Sequence, residues 1–430
     1  MIRAALVRLH RWAGLVIAGF LMVVGLTGSL LAFWNEINHW ITPDLYPGPH
    51  AGIELDAATL ARRAEALAPQ ARATQVYLGY IGTAWVTMEA PEGAPPLAFD
   101  QIYLDTVTGA GLGRLKFGAF PTRREEVMPF VYKLHYALAL DDPGGWILGV
   151  VALLWTIDCF IAFALTLPRA RGRSRKSFFA RWNPAWFVKW SGSLYRVNFD
   201  FHRAGGLWLW ALLLMYAWSS VMMNLDVVYS RVTGFFLDYP RPDLAARPLP
   251  VEGRKPLEWE EAQSIASRRM AEQAKALNFT IERPIALYNL RDRGTFNYRV
   301  RSSRDIGEKY GATGIDIDVY TGELLNVSLP TGGHSGVTVS TWLAELHSAN
   351  VFGPAYQVAV GLFGVTVAAL SASGVYIWWK KRCARNKSRR GPAGASPARV
   401  SRSWRSVASV AWSSATAAAK RTQQLRGVRH

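Results

Sequence analysis

Four stretches of the chain are almost continuously apolar, at residues 12–34, 146–167, 207–225 and 356–379. Each is long enough for an α-helix to cross the ~30 Å hydrocarbon core of a bilayer, which takes about 20 residues. None alternates with period two, so helices rather than barrel strands are predicted. The segments between them read differently. After the first run come a helix-like stretch at 55–67, alternating segments such as 75–88, and a closing Ile102-Tyr103-Leu104-Asp105-Thr106-Val107-Thr108-Gly109. After the third come 257–277, 285–290, 295–301 and Ile315-Asp316-Ile317-Asp318-Val319-Tyr320-Thr321-Gly322. Alternation marks half-buried strands, so each segment predicts a small α+β module. The Asp-x-x-Thr-Gly and Asp-x-Tyr-Thr-Gly endings predict strand-to-turn corners whose glycine takes a positive φ.

The net charge of +18 would suggest nucleic acid in a soluble chain, but here its distribution decides the matter. Arg3, Arg8 and Arg11, nine Lys/Arg at 168–203 and fourteen at 380–430 are accompanied by a single acid, Asp200. Lys/Arg-rich flanks stay in the cytoplasm, which predicts cytoplasmic termini and middle loop, with the two α+β segments on the other side. In a Gram-negative cell that side is the periplasm. The basic surfaces then serve topology and anionic membrane lipid, and no nucleic acid partner is expected. The first apolar run is longer than a signal h-region and ends on Ala32-Phe33-Trp34 without a small-x-small site, so it reads as a retained anchor. The two cysteines, Cys159 in a span and Cys383 in the tail, give the outer modules neither a disulfide framework nor a thiolate metal site.

The chain repeats itself. Leu9-His10-Arg11-Trp12-Ala13-Gly14 answers Phe201-His202-Arg203-Ala204-Gly205-Gly206, and Tyr132-Lys133-Leu134-His135 answers Ala344-Glu345-Leu346-His347. Each half runs out through a helix, forms a module and returns. Two spans per half preserve orientation, so the halves are related by an axis along the membrane normal. The expected layout is a start and first span at 1–34, an outer domain at 35–133, a second span at 134–167 and a cytoplasmic loop at 168–201. A third span at 202–225, a second outer domain at 226–345, a fourth span at 346–382 and a basic tail at 383–430 complete it.

With the Leu-His-Arg-x-x-Gly start, its Phe-His-Arg-x-x-Gly repeat, the two Leu-His returns and the Tyr-x-Thr-Gly turn, the chain resembles a known family. It looks like the PepSY-associated transmembrane helix proteins, also called iron-regulated membrane proteins, and is most similar to the bacterial inner-membrane ferric-siderophore reductases among them. The resemblance spans roughly residues 5–382. It implies two periplasmic PepSY-like domains and a b-type cytochrome with two haems, passing electrons outward to an iron chelate. Residues 383–430 have no counterpart in it.

Paired histidines suit that chemistry. A haem iron with two imidazole ligands has no open position and cycles between oxidation states without binding substrate. A near-two-fold axis supplies one histidine from each side, pairing His10 with His202 at the cytoplasmic level and His135 with His347 at the outer level. Gly14 and Gly206 follow their histidines at i+4 on the same helix face, where a missing side chain leaves room for a macrocycle. Arg11 and Arg203 are candidate propionate partners. Pro143-Gly144-Gly145 and Gly353-Pro354 predict a break between each outer histidine and its span. A histidine at a membrane helix end can instead be a snorkelling interfacial residue or a cap; recurrence in the repeat favours ligation.

Other residues are weaker candidates. His39 is an alternative outer ligand or an interfacial residue, His334 a contact for a chelate or a solvated loop residue, and His50 and His430 lie in loop and tail sequence. Asp158, inside the second span, is costly enough to imply a use: a proton relay, a partner within the bundle, or a protonated, hydrogen-bonded acid. Trp12, Trp155, Trp208, Trp210 and Trp218 read as packing or belt residues, or as lying between donor and acceptor. No Gly-x-Gly-x-x-Gly follows a strand, and neither a Walker loop nor a Cys-x-x-Cys-His is present. Haem is therefore expected to be non-covalent, with electrons arriving from quinol or a separate cytoplasmic reductase. The tail, rich in Arg, Ser and Ala, is expected to be disordered or to lie on anionic lipid. Competing readings are a PepSY-type regulatory or interaction protein, and a siderophore permease, which four mostly apolar helices barely supply with a polar path.

Overall fold

The computed structural model describes residues 1–48, 51–79, 82–169, 177–240 and 255–389. His50, His430 and the basic tail beyond residue 389 lie outside them. Met1–Lys380 is one compact unit.

The first half comprises α1 (Ile2–Leu31), α2 (Trp34–Ile41), α3 (Ala57–Leu67), β1 (Arg72–Leu78), β2 (Thr83–Glu89), β3 (Gln101–Asp105), β4 (Gly111–Leu115), α4 (Val127–Ala137) and α5 (Asp141–Thr166). After a short α6 (Phe178–Trp182), the second half repeats the order. It has α7 (Leu194–Trp208), α8 (Trp210–Asn224), α9 (Asp226–Phe236), α10 (Trp259–Ala276), β5 (Ile281–Leu290), β6 (Thr295–Ser302), β7 (Thr313–Asp318), β8 (Leu324–Ser328), α11 (Ser335–His347) and α12 (Gly353–Arg389).

The two α+β modules are not separate bodies. Their strands form one eight-stranded sheet in the order β4-β3-β2-β1-β5-β6-β7-β8, joined where β1 runs antiparallel to β5 with Val76 opposite Leu287. Either strand alone would be an open edge, and pairing them removes both. One face of the sheet is covered by α3 and α10, with Leu60, Ala64, Val76, Val86, Trp259, Met270, Leu287, Phe296 and Ile315 in a single core. The predicted corners recur in detail. Asp105 accepts the N–H groups of Val107 (2.9 Å) and Thr108 (2.7 Å), Asp318 those of Tyr320 and Thr321 (both 2.8 Å), and Gly109 and Gly322 have φ of 70° and 69°.

Three helices, α1, α5 and α12, are long and apolar enough to cross a bilayer, and the pair α7 and α8 qualifies together with a 69° bend between them. The third span expected over 202–225 is thus a bent pair, and its helix begins earlier, at Leu194, where the Ser193 hydroxyl accepts the Arg196 N–H. The break falls at Leu209, one turn beyond Gly205-Gly206. The Trp208 indole, donating to the Trp186 carbonyl at 3.0 Å, ties the end of α7 to the preceding loop.

Small residues let the helices meet closely, as membrane packing requires. A Cβ on Gly25 of α1 would lie 2.6 Å from the Gly364 carbonyl of α12, and Ser29 donates to Gly361 O at 2.8 Å. The repeat-related positions in α8 and α5 are Ala217 and Ala152, both buried.

The two expected breaks are present as left-handed elbows. Leu138 and Ala139 (φ 53° and 57°) separate α4 from α5, and Ala349 and Phe352 (φ 54° and 60°) separate α11 from α12. Such φ values are costly outside glycine and persist only where neighbours fix them. Leu138 and Ala139 donate back to Leu134 O (3.0 Å) and Lys133 O (3.2 Å), while Asn350 donates through its backbone to Glu345 O (2.9 Å) and through its amide to the Glu345 carboxyl (2.5 Å). Burial pushes that carboxyl's pKa up. Gly144 is not at the break but in the first turn of α5, where any Cβ would overlap the Ala137 carbonyl.

Candidate functional site

The duplicated histidines come together in the predicted pairs. His10 of α1 and His202 of α7 have ring centroids 6.2 Å apart with planes at 50°, and His135 of α4 and His347 of α11 are 6.3 Å apart at 71°. Two metal–imidazole bonds of about 2 Å, plus roughly 1 Å from each nitrogen to its ring centre, put two opposed axial imidazoles roughly 6 Å apart. Ordinary ring contacts reach the same separation. What distinguishes these rings is how each is held.

In all four, Nδ1 is bound to a partner on the protein side. His10 Nδ1 lies 2.9 Å from both carboxylate oxygens of Asp158, and His202 Nδ1 lies 3.1 Å from Leu370 O and 2.7 Å from Ser373 Oγ. His135 Nδ1 meets Thr27 Oγ1 at 3.0 Å, and His347 Nδ1 meets Ser219 Oγ at 2.6 Å. The hydroxyls give their own hydrogens away, Thr27 to Val23 O (2.8 Å), Ser219 to Tyr216 O (3.1 Å) and Ser373 to Leu370 O (2.7 Å). The Asp158 carboxylate and the Leu370 carbonyl can only accept, so Nδ1 of His10 and His202 carries the proton; with the hydroxyl hydrogens on the helix carbonyls, the same arrangement at His135 and His347 leaves Nε2 with a lone pair in all four. This is how metal-binding histidines are oriented. Among the described residues no group of three or more His, Cys, Asp or Glu is placed to hold a metal ion. Two imidazoles suit a metal that brings its own equatorial donors, as porphyrin iron does.

Sequence reasoning left the role of Asp158 open among three uses and passed over Thr27, Ser219 and Ser373. A signal for two of them was present: Thr27 follows His10 by 17 residues, and Ser219 follows His202 by the same 17. Each of these segments thus carries one imidazole and, 17 residues on, the hydroxyl that orients another. Along the unbroken α1, 17 residues set the two levels roughly 25 Å apart.

Two further glycines clear the imidazole rings. A Cβ on Gly28 would lie 2.9 Å from His135 Cε1, and one on Gly374 3.1 Å from His202 Cε1, whereas a Cβ on Gly14 or Gly206 meets nothing within 4 Å. Arg11 lines an open pocket of about 760 Å³ with Arg3, Arg8 and Arg169. Arg203 is engaged by Asp200 (2.8 Å) and Pro184 O (2.7 Å), so the two arginines do not play matching parts. Asp200, fully buried, also takes Arg196 at 2.7 Å, and this pull of charge accounts for Arg203 turning to it. Asp200→Ala should cost about 2 kcal/mol, since it strips charged hydrogen bonds from a half-exposed and a mostly buried arginine. Thermal unfolding of the purified protein in detergent measures it.

His39, on α2, is exposed and joins neither pair. His334 is exposed and lies 2.7 Å from Asp238. Trp12 and Trp208 are exposed, Trp155 and Trp218 pack between helices, and Trp210 donates to Cys159 O at 2.9 Å. The sheet face opposite α3 and α10 carries Tyr77 stacked on Trp85 at 4.2 Å, with Tyr103 and Tyr310 beside them. Burial raises the pKa of these three phenols, so they stay neutral.

No curated protein matches the chain. Its sequence does match one family, the PepSY-associated TM region, over residues 7–381. With apolar helices of spanning length joined to a duplicated sheet module, the protein is a membrane protein and belongs to the PepSY-associated TM family.

Proposed function

We propose that the protein is a di-haem b-type oxidoreductase of the bacterial inner membrane, carrying electrons across the bilayer to reduce ferric siderophore in the periplasm. Four spans, both termini in the cytoplasm and the sheet outside complete the reading, which the distribution of Lys and Arg supports. The observation that carries it is the set of four imidazoles, paired at two levels and each oriented through Nδ1. Bound there, haem supplies one-electron redox chemistry with no open coordination site.

The chain's own residues then have defined tasks. His10 and His202 would hold the inner group, His135 and His347 the outer one. Asp158, Ser373, Thr27 and Ser219 fix the rings, and the apolar helices keep water away from the path. Iron leaves its chelate on reduction because hard oxygen donors hold Fe(III) far better than Fe(II). Membrane quinol or a cytoplasmic reductase docking on the basic inner face is the donor class.

Protein purified from haem-replete cells should be red, with a Soret band that sharpens and shifts on dithionite, and a pyridine haemochrome assay should return two haems per chain. A colourless, folded preparation would leave the histidines structural and favour an interaction protein.

A further inference from the structure

The four histidine partners are not equivalent. Three are neutral: the hydroxyls of Thr27 and Ser219, and the Leu370 carbonyl with the Ser373 hydroxyl. The fourth is a carboxylate. Asp158 is buried, both of its oxygens lie 2.9 Å from His10 Nδ1, and among the described residues no lysine or arginine pairs with it. The repeat gives it no counterpart. His135 and His347 are 212 residues apart, and the position 212 beyond Asp158 is Leu370, which serves His202 through its backbone carbonyl. At the outer level, by contrast, Thr27 and Ser219 are repeat-related and chemically alike.

From this asymmetry we propose that Asp158 sets the reduction potential of the inner site below that of the outer one, giving the electron a downhill direction toward the sheet. The inference rests on the haem reading above and deepens it. A carboxylate accepting from Nδ1–H draws the proton toward itself and makes the imidazole a stronger donor through Nε2, which favours the ferric state. Its negative charge, held in a low-dielectric setting, adds to the same preference. Hydroxyl and carbonyl acceptors orient the ring without supplying a charge. Asp158 is thus a positioning and tuning residue, acting through His10.

Redox potentiometry of the purified holoprotein, following the haem absorbance, tests this. The wild type should titrate in two one-electron waves. Asp158→Asn keeps an acceptor oxygen for His10 and should keep both haems. It should raise the ferrous-to-ferric ratio of the lower wave at least tenfold at fixed ambient potential, an upward shift of about 59 mV or more, with the upper wave unmoved. Should that variant fail to assemble, His347→Ala in the native Asp158 background leaves only the inner pair, and its single wave must coincide with the lower one. Two haems with an unmoved lower wave in Asp158→Asn, or a remaining wave at the higher potential in His347→Ala, overturns the inference and leaves the cytochrome reading standing. Wild-type protein without haem overturns both.

Discussion

His347→Ala protein should contain one haem per chain where the wild type contains two, and His10→Ala should likewise lose one. The two losses are expected to be independent, because the sites lie at levels roughly 25 Å apart along α1 and share no side chain. Truncating His347 leaves His135 as the sole ligand of the outer site and leaves Ser219 without the imidazole it accepts from at 2.6 Å. A non-covalent haem has nothing else to hold it there, since the chain has no Cys-x-x-Cys-His attachment motif. The affected level is identified by which wave disappears in potentiometry and by the halved haemochrome yield. Unchanged haem content in a folded variant refutes the ligand assignment. Loss of both haems from either variant would mean that the levels are coupled rather than independent.

The second expected result concerns the acceptor. Anaerobically reduced wild-type protein should be reoxidised by a ferric siderophore and not by the iron-free ligand, with Fe(II) appearing in step with haem oxidation. The His347→Ala variant, still holding inner haem, should lose this reaction almost entirely, because its remaining redox centre is separated from the outer face by most of the ~30 Å apolar core. Fe(II) trapping by a ferrous-specific chelator reads the product directly. If reduced wild-type protein ignores every ferric chelate offered, the substrate is wrong while the cytochrome remains. If His347→Ala transfers electrons as fast as the wild type, the outer pair is not on the path.

Much of this architecture is legible in the chain. The apolar runs predict the spans, and the recurrence of His-Arg-x-x-Gly and Leu-His predicts which imidazoles meet. The Asp-to-Gly corners predict turns that the structure repeats in bond and φ. What escapes the sequence depends on approach between distant segments. Gly28 and Gly374 clear the imidazole edges because α4 and α7 arrive beside them, whereas Gly14 and Gly206, read from the histidine's own helix face, have open space beside them. Asp158 is conspicuous in its span, yet its purpose follows only from His10 lying within 2.9 Å. The bend at Leu209 depends on a tryptophan anchored to the loop before it, which apolarity cannot reveal. The fusion of the two modules is a property of exposed strand edges, and alternation within a strand does not say what lies beyond its edge.

That seam between the modules bears on how such a protein could arise. β1 and β5 occupy the same place in their respective halves, and they pair antiparallel, with Gln75 opposite Tyr288 and Tyr77 opposite Ala286. Equivalent surfaces meeting in this way are the mark of an isologous contact between identical subunits. A polypeptide of one half's length would own a single imidazole at each depth and would gain its partner only from a twin. The tandem arrangement makes that companionship permanent, and it frees each copy to diverge, as the carboxylate on one side and a bare carbonyl on the other already record.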